Sequence, residues 1–136
     1  MSILLDKIPL ELAEKLVLDD PVRPDIPASV RQQNHFQMFQ TENAVICVAF
    51  CNKVPKTEQG LLESKPGDIA VFYSVWSYQK GAGRDIVLRV IEEARKRGMS
   101  RFVTMSPKTR MAERFHIRNG AELVSENETT NNFEYL

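Results

Sequence analysis

The spacing of hydrophobic and polar residues along the chain predicts six β-strands. Residues 44–51 and 69–76 are almost continuously apolar, which is typical of strands covered on both faces of a sheet. Residues 35–40 alternate apolar and polar side chains, as a half-buried strand does. The other predicted strands are short, at residues 101–105, 121–125 and 132–136, and the polar turn 126–131 joins the last two.

Helical spacing predicts three longer helices, at residues 9–18, 84–97 and 109–119. The second carries its apolar side chains on one face and ends at Gly98. The third is predicted to turn Met111, Ala112 and Phe115 inward and to end at Gly120. Short helical segments are predicted at residues 28–33 and 59–63. This order of elements predicts an α/β (α+β) domain with one central sheet.

The length of 136 residues suits a single domain, residues 1–136. No apolar run approaches the roughly 18 residues that a membrane-spanning helix needs. Residues Met1 to Leu5 lack the basic region and the small-residue cleavage site of a signal peptide. We therefore expect a cytoplasmic protein with no membrane partner.

Cys47 and Cys51 lie four residues apart in one apolar run. On a strand they share a face and stand about 13 Å apart, at roughly 3.3 Å per residue. That distance is too long for a disulfide, and no further ligand has a spacing that suits a metal ion. The sequence predicts two buried thiols and no metal site.

The formal net charge is zero, but the charges are unevenly distributed. Residues 80–119 hold eleven Lys and Arg against four Asp and Glu, whereas acidic residues outnumber basic ones on either side. Such a basic block indicates either an anionic ligand or a solvated helix surface. Nucleic acid is disfavoured as that ligand, because few aromatic residues interleave with the basic ones and no reader motif is present.

A glycine-containing loop follows the second long apolar run and leads into a helix. The first N–H groups of a helix have no intrahelical partner, and together with the helix dipole they bind anions. Gly81 and Gly83 let the backbone approach such a ligand closely, and Lys80 and Arg84 add positive charge. Ile86 replaces the third glycine of the dinucleotide-binding pattern, and the P-loop spacing is absent, so neither of those sites is expected.

A second strand-to-helix segment carries Ala112, Phe115 and His116 at i, i+3 and i+4, which places them on one helix face. Both segments resemble the GNAT superfamily of acyltransferases. The loop at residues 79–84 is similar to the family's pyrophosphate loop. The family's C-terminal motif A-x-x-F-Y-x-K-x-G-F reads here as Ala112, Phe115, His116, Arg118, Gly120 and Ala121. The resemblance covers the chain from residue 69 onward, and the N-terminal third matches only in element order.

The resemblance implies a mixed, mostly antiparallel central sheet with helices on both faces. In the family's count this sheet is splayed between the fourth and fifth strands, here residues 69–76 and 101–105. The implied co-substrate is acetyl-CoA or another acyl-CoA, and the implied acceptor is a small-molecule or protein amine. A homodimer is also compatible with the family. The residues implied to bind the cofactor are Val75, Trp76, Gln79, Lys80, Gly81, Ala82, Gly83, Arg84, Ser106 and Phe115.

The sequence departs from the family pattern at two positions. Tyr78 stands three residues before Gly81, where the family prefers Gln or Arg, and His116 replaces the tyrosine that often protonates the leaving thiolate. Histidine can do that work, with an unperturbed pKa near 6.5, so His116 is the predicted catalytic residue. No clear general base is present. The alternative hypothesis is a catalytically weak acyl-CoA-binding regulatory module. The polar segment 52–68 is either a lid or substrate wall, or a mobile surface excursion.

Overall fold

The computed structural model describes residues 8–136 and contains the elements in the predicted order. Within that range the strands are β1 (Phe36–Gln40), β2 (Ala44–Cys51), β3 (Ile69–Ser77), β4 (Arg101–Thr104), β5 (Ser106–Pro107), β6 (Glu122–Glu126) and β7 (Thr130–Tyr135). The helices are α1 (Leu10–Val17), α2 (Ala28–Arg31), α3 (Glu58–Leu62), α4 (Ala82–Lys96) and α5 (Arg110–Arg118). The prediction about a signal peptide in Met1 to Leu5 lies outside the described residues.

The described strands form one sheet in the order β1-β2-β3-β4-β7-β5, and β6 pairs with the other edge of β7. β3 and β4 run parallel, whereas the other neighbouring strands are antiparallel. The predicted mixed, mostly antiparallel sheet is therefore confirmed. None of the helices in residues 8–136 is long and apolar enough to cross a membrane.

Two apolar clusters cover the two faces of the sheet. The first cluster joins α1, α2 and α3 to β2 and β3, and it contains Cys47 and Cys51, which are buried and free as predicted. The second cluster joins α4 to the opposite face through Ile86, Val87, Val90, Ile91 and Ala94. Helices on both faces are therefore confirmed, and the apolar spacing of α4 identified its buried side correctly.

A β-bulge interrupts the pairing of β3 with β2. Val48 pairs with Phe72 and Cys47 pairs with Ser74, which leaves Tyr73 without a partner on β2. An extra residue of this kind bends a strand and increases its local twist. The bulge therefore redirects the last part of β3 away from its earlier course.

β3 and β4 separate beside this bulge. Their last paired residues are Phe72 and Thr104, and the N–H of Met105 still donates to the carbonyl of Phe72 at 2.9 Å. Beyond that point β3 continues to Ser77 without a partner on β4. This confirms the predicted splay. We call the stretch before it the paired half, the stretch after it the separated half, and Tyr73 with Met105 the apex.

The final hairpin is longer than the sequence predicted. β6 extends to Glu126 and β7 begins at Thr130, so the turn spans residues 127–129 instead of 126–131. The side-chain amide of Asn127 donates to Thr130 Oγ1 at 3.0 Å and to Asn132 Oδ1 at 2.8 Å. These bonds satisfy polar side chains that would otherwise oppose burial in a strand, and the apolar pattern gave no sign of them.

The inward orientation predicted for Met111 is wrong, because this side chain is 81% exposed. The buried residue of α5 is His116. Five residues of a helix with 3.6 residues per turn correspond to about 140° around the axis. Met111 therefore lies on the far side of α5 from the face that packs on the sheet.

Candidate functional site

The loop between β3 and α4 has the geometry of an anion site. Gly81 precedes α4 with φ +87°, a left-handed conformation that favours glycine, and no side chain caps the helix. The N–H groups of Gly83 and Arg84 make no backbone hydrogen bond within residues 8–136. Gln79, Lys80 and Arg84 are exposed. Free N–H groups, the helix dipole and nearby cations can together hold a phosphate.

Phe115 joins the second motif to this loop. A Cβ atom added at Gly83 would lie 3.4 Å from the Phe115 ring, so the aromatic side chain packs directly on the glycine. Gly81 is different, since an added Cβ there would have no atom within 4 Å. Gly83 therefore gives room for Phe115, whereas Gly81 provides the turn and leaves its outer side open.

Trp76 links the end of β3, through Tyr78, to Asp19 in the loop that follows α1. Its buried indole N–H donates to the Tyr78 hydroxyl at 3.0 Å, and that hydroxyl donates to Asp19 Oδ2 at 2.7 Å. Burial is the main cause that raises the pKa of Tyr78, and the bond to Asp19 adds to it. The half-buried Val75 packs toward the second cluster, on the opposite face. Both residues lie in the separated half, beyond the pairing with β4.

Ser106 lies across the separated half from these residues, on β5. Its side chain is buried, and its hydroxyl donates to Thr104 Oγ1 at 2.7 Å. The same Thr104 oxygen accepts from the backbone N–H of Phe133 at 3.1 Å. Ser106 therefore lies close to the point where β3 and β4 stop pairing, and its hydroxyl is bonded to Thr104 at the end of β4.

Arg23 occupies the apex. Its guanidinium donates to the carbonyl of Tyr73 on one strand and to the carbonyl of Met105 on the other, at 2.9 Å for the latter. The residue is 6% exposed. Burial lowers the pKa of Arg23, while the carboxylates of Glu58 and then Asp20 oppose that effect. A cation therefore bridges the two strands where they stop pairing.

A buried ion pair supports Arg23. Asp20 accepts hydrogen bonds from the backbone N–H groups of Val22 and Arg23 at 2.8 and 3.2 Å. Its other oxygen lies 2.7 Å from the Arg31 guanidinium, and both side chains are fully buried. Arg31 also donates to the carbonyls of Ile26, at 2.9 Å, and of Arg23. These bonds fix the loop between α1 and α2 and so fix the guanidinium at the apex.

The segment 52–68 is held to β7. Thr130 Oγ1 donates to the Lys56 carbonyl at 2.6 Å, and Asn132 Nδ2 donates to the Pro55 carbonyl at 3.1 Å. Asn132 Nδ2 also donates to the Thr104 carbonyl at 2.8 Å. The segment is therefore anchored beside the last paired residue of β4, which favours a wall over a loose surface loop.

His116 is buried among aromatic side chains of the second cluster. It is 6% exposed, and its Nδ1 lies 2.7 Å from the hydroxyl of Tyr135. The rings of Phe115, Phe133 and Tyr135 surround the imidazole, with centroids 5.1 to 5.8 Å away. Burial lowers the pKa of His116 to about 4. Tyr135 pairs with Phe102 in the paired half, so the structure does not bring His116 to the apex.

Two shallow grooves lie elsewhere on the molecule. One, of about 330 Å³, lies between the second half of α4 and the end of β7, and it is lined by residues such as Leu88, Arg95 and Tyr135. The other, of about 290 Å³, lies on the exposed side of α5. Within residues 8–136, no cluster of three or more His, Cys, Asp or Glu side chains is arranged to hold a metal ion.

Comparisons with known proteins define the fold. No protein-family model matches the sequence, and no curated protein matches it. A PaiA N-acetyltransferase from Thermoplasma acidophilum, solved with coenzyme A, is similar at a TM-score of 0.65 and 13% identity, over 99% of both chains. An IAA acetyltransferase from Bacillus cereus is similar at a TM-score of 0.61 and 15% identity, over 98% of this chain and 96% of its own.

This chain has the fold of the GNAT acetyltransferases. A malonyl-CoA decarboxylase from Cupriavidus metallidurans is also similar, at a TM-score of 0.59 and 22% identity, over 85% of this chain and 33% of its own. The TM-scores establish the shared GNAT fold. Because the sequence identities are low, the chemistry has to be argued from the site itself.

Within the GNAT fold, the structure adds residues that the motifs did not indicate. Arg23 comes from a proline-rich loop, and Glu58 comes from a polar segment, so both have the sequence features of surface residues. The bulge at Tyr73 lies inside an almost continuously apolar run, and the apolar pattern does not indicate it. A buried Asp20–Arg31 pair eleven residues apart is likewise invisible to periodicity.

Proposed function

We propose that this protein is an acyl-CoA-dependent N-acyltransferase that transfers an acetyl group from acetyl-CoA to a primary amine of a small molecule or a protein. One observation carries the proposal. The separated half of the sheet opens next to a left-handed glycine loop with free N–H groups. The fold supports it, since a similar structure is described in complex with coenzyme A.

The two parts of the site suit the two ends of an acyl-CoA. The free N–H groups of Gly83 and Arg84, with Lys80 beside them, hold the diphosphate. The edge of β3 around Val75 and Trp76 has no partner on β4, so its backbone is free to bond the amides of the pantetheine arm, as an added strand would. Backbone N–H groups along that edge also polarise the thioester carbonyl.

The reaction needs an uncharged amine, a polarised carbonyl and a proton for the leaving group. The amine nitrogen attacks the thioester carbon, the C–S bond breaks, and the electron pair leaves with the sulfur of coenzyme A. The hypothesis that His116 supplies the proton rests on its place in the motif. Its burial and its bond to Tyr135 favour a packing role, so this part of the proposal depends on the variant described in the Discussion.

A regulatory acyl-CoA-binding module is the second candidate. The observation that favours it is Arg23, whose guanidinium fills the apex and bonds both strands. A protein of this kind would bind acyl-CoA and leave it intact.

Calorimetric titration with acetyl-CoA and free coenzyme A tests the proposal, using the wild type, Gly81→Glu and Gly98→Glu. Both glycines have φ +87° and open space around an added Cβ, but Gly98 follows the opposite end of α4. We expect micromolar binding that Gly81→Glu abolishes and Gly98→Glu retains. Absence of binding by the wild type would overturn the proposal, and tight binding without transfer to any amine would support the regulatory module.

A further inference from the structure

The basic block at residues 80–119 divides into cations that have a partner and cations that have none. Of its eleven Lys and Arg residues, five bond a carboxylate or a carbonyl within residues 8–136: Arg89, Arg95, Arg97, Arg101 and Lys108. The other six are exposed and make no ion pair in the described part of the chain: Lys80, Arg84, Lys96, Arg110, Arg114 and Arg118. The paired cations support the fold, and the unpaired ones are available to a ligand.

Five of the six unpaired cations lie on two adjoining elements, the phosphate loop and α5. The three on α5 follow one another at i, i+4 and i+8, so they form one stripe along the helix. The Phe115 ring joins the two elements, since a Cβ atom added at Gly83 would lie 3.4 Å from it. Arg118 follows Phe115 by three residues, which places it about 60° around the helix axis, on the neighbouring surface. The stripe therefore begins beside the loop.

The groove of about 290 Å³ on α5 lies on this stripe. Arg114 and Arg118 line it together with Glu113 and Ile117. Side chains four residues apart are neighbours on a helix, so both guanidinium groups can contact one ligand. Ile117 is 48% exposed and gives the groove an apolar wall, while Glu113 offsets only one of the two positive charges. The groove is therefore suited to a small anion that is joined to a flat ring.

We propose that this groove binds the 3′-phosphate and the adenine of acyl-CoA, with Arg114 and Arg118 on the phosphate and Ile117 against the ring. The inference rests on the proposed function and adds recognition of the nucleotide end of the acyl donor. One ribose of coenzyme A carries both the 3′-phosphate and the diphosphate. A diphosphate held at Gly83 and Arg84 therefore brings the 3′-phosphate to the adjoining surface, where planar guanidinium groups can each donate two hydrogen bonds to it.

The expected contribution of the groove is selectivity more than affinity. A phosphate monoester carries close to two negative charges at neutral pH, and the groove offers two cations to it. Both cations are exposed, and an exposed ion pair is worth at most about fivefold in affinity. Two such pairs distinguish coenzyme A from the same molecule without its 3′-phosphate by about tenfold. The loop and the edge of β3 bind the parts that both molecules share.

The test is calorimetric titration with coenzyme A and with 3′-dephospho-coenzyme A, on the wild type, Arg114→Gln, Arg118→Gln and the double variant. Lys96→Gln is the matched control, because it removes one exposed, unpaired cation at the opposite end of α4. We expect the wild type and Lys96→Gln to bind coenzyme A about tenfold more tightly than the dephospho form. Each arginine variant should weaken coenzyme A binding by about threefold and leave the dephospho form unchanged. The double variant should bind the two ligands equally.

The two ligands separate recognition of the 3′-phosphate from a general effect of charge. A wild type that binds both ligands with equal affinity would overturn the inference while the acyltransferase function stands. Arginine variants that weaken both ligands to the same extent, or a Lys96→Gln variant that also loses the preference, would overturn it in the same way. A wild type that binds neither ligand would overturn the proposed function and this inference with it.

Discussion

The paired half and the separated half of β3 and β4 are built in different ways. In the paired half, Ile69 to Phe72 on β3 run in register with Arg101 to Thr104 on β4, and apolar side chains from both clusters cover the two faces. In the separated half, a bulge, a buried guanidinium and a buried ion pair take the place of strand pairing.

This difference shows how a sheet can be opened without exposing its core. Two parallel strands would continue to pair if nothing intervened, because unpaired buried carbonyls are unfavourable. Arg23 satisfies the carbonyls of Tyr73 and Met105 with side-chain donors. The separated half therefore depends on a few polar contacts, and the paired half depends on many apolar ones.

The largest effect is expected from breaking the buried Asp20–Arg31 ion pair, which supports Arg23 at the apex. Arg31→Met leaves the Asp20 carboxylate buried without its cation, and it also removes the donors to the Ile26 and Arg23 carbonyls. We expect a loss of about 3–5 kcal/mol in the free energy of unfolding, measured with urea. Arg89→Met, which removes an exposed pair with Asp85, should cost less than about 1 kcal/mol. Similar losses in the two variants would contradict this account of the separated half.

The second effect concerns His116, which belongs to the paired half through Tyr135. Its pKa is about 4 in the folded protein, because of burial, and returns toward 6.5 on unfolding. As the pH falls, the imidazole is therefore protonated in the unfolded chain before it is protonated in the folded protein. The contribution of neutral His116 to the free energy of unfolding is fully present above pH 6.5 and is lost as the pH falls toward 4. The loss should reach about 3 kcal/mol.

Urea titrations at several pH values, for the wild type and His116→Gln, measure this dependence. The variant should flatten the profile across that window, and an unchanged profile would mean that His116 titrates normally in the fold. The same variant decides the catalytic hypothesis. A drop in turnover of about 10²-fold would support a general acid, and a drop below about threefold would remove that role.

The smallest effects are expected when one buried residue in each half is replaced by alanine. Val71 is fully buried in the paired half, so Val71→Ala should cost about 2 kcal/mol through lost burial and the cavity left behind. Ser74 is also buried, but its hydroxyl has no hydrogen-bond partner, so Ser74→Ala should be close to neutral. Thermal unfolding of both variants gives the comparison, and a large loss for Ser74→Ala would show that its hydroxyl is bonded after all.

The sequence predicted most of the fold because apolar spacing determines the elements. The run at 69–76, the face of α4 and the stop at Gly98 all agree with the structure. The predicted inward orientation of Met111 was wrong, because a single apolar residue on a short helix does not reveal which side of the helix packs. The start of β7 was predicted two residues too late, because Thr130 and Asn131 are polar. Their burial involves contacts with distant parts of the chain, such as the bond from the Thr130 hydroxyl to the Lys56 carbonyl.

The candidate site was less predictable from the sequence than the fold, for a physical reason. The loop at 79–84 has a local signal, since glycines and basic residues before a helix stand together in the chain. Arg23, Asp20 and Arg31 act only through contacts across the fold, and isolated charged residues normally lie at the surface. The partners of Arg23, the Tyr73 and Met105 carbonyls, lie 50 and 82 residues away along the chain, so no local stretch of sequence reveals its burial.

The position of β7 has a consequence for how the protein is made. β7 pairs with β4, β5 and β6, and its Asn132 ties the segment before α3 to the end of β4. A ribosome releases β7 after every element that it joins. The nascent chain can close its first three strands early, but the region around the apex stays incomplete until residue 135 has emerged. Assembly of the candidate site therefore has to wait until β7 has paired with β4.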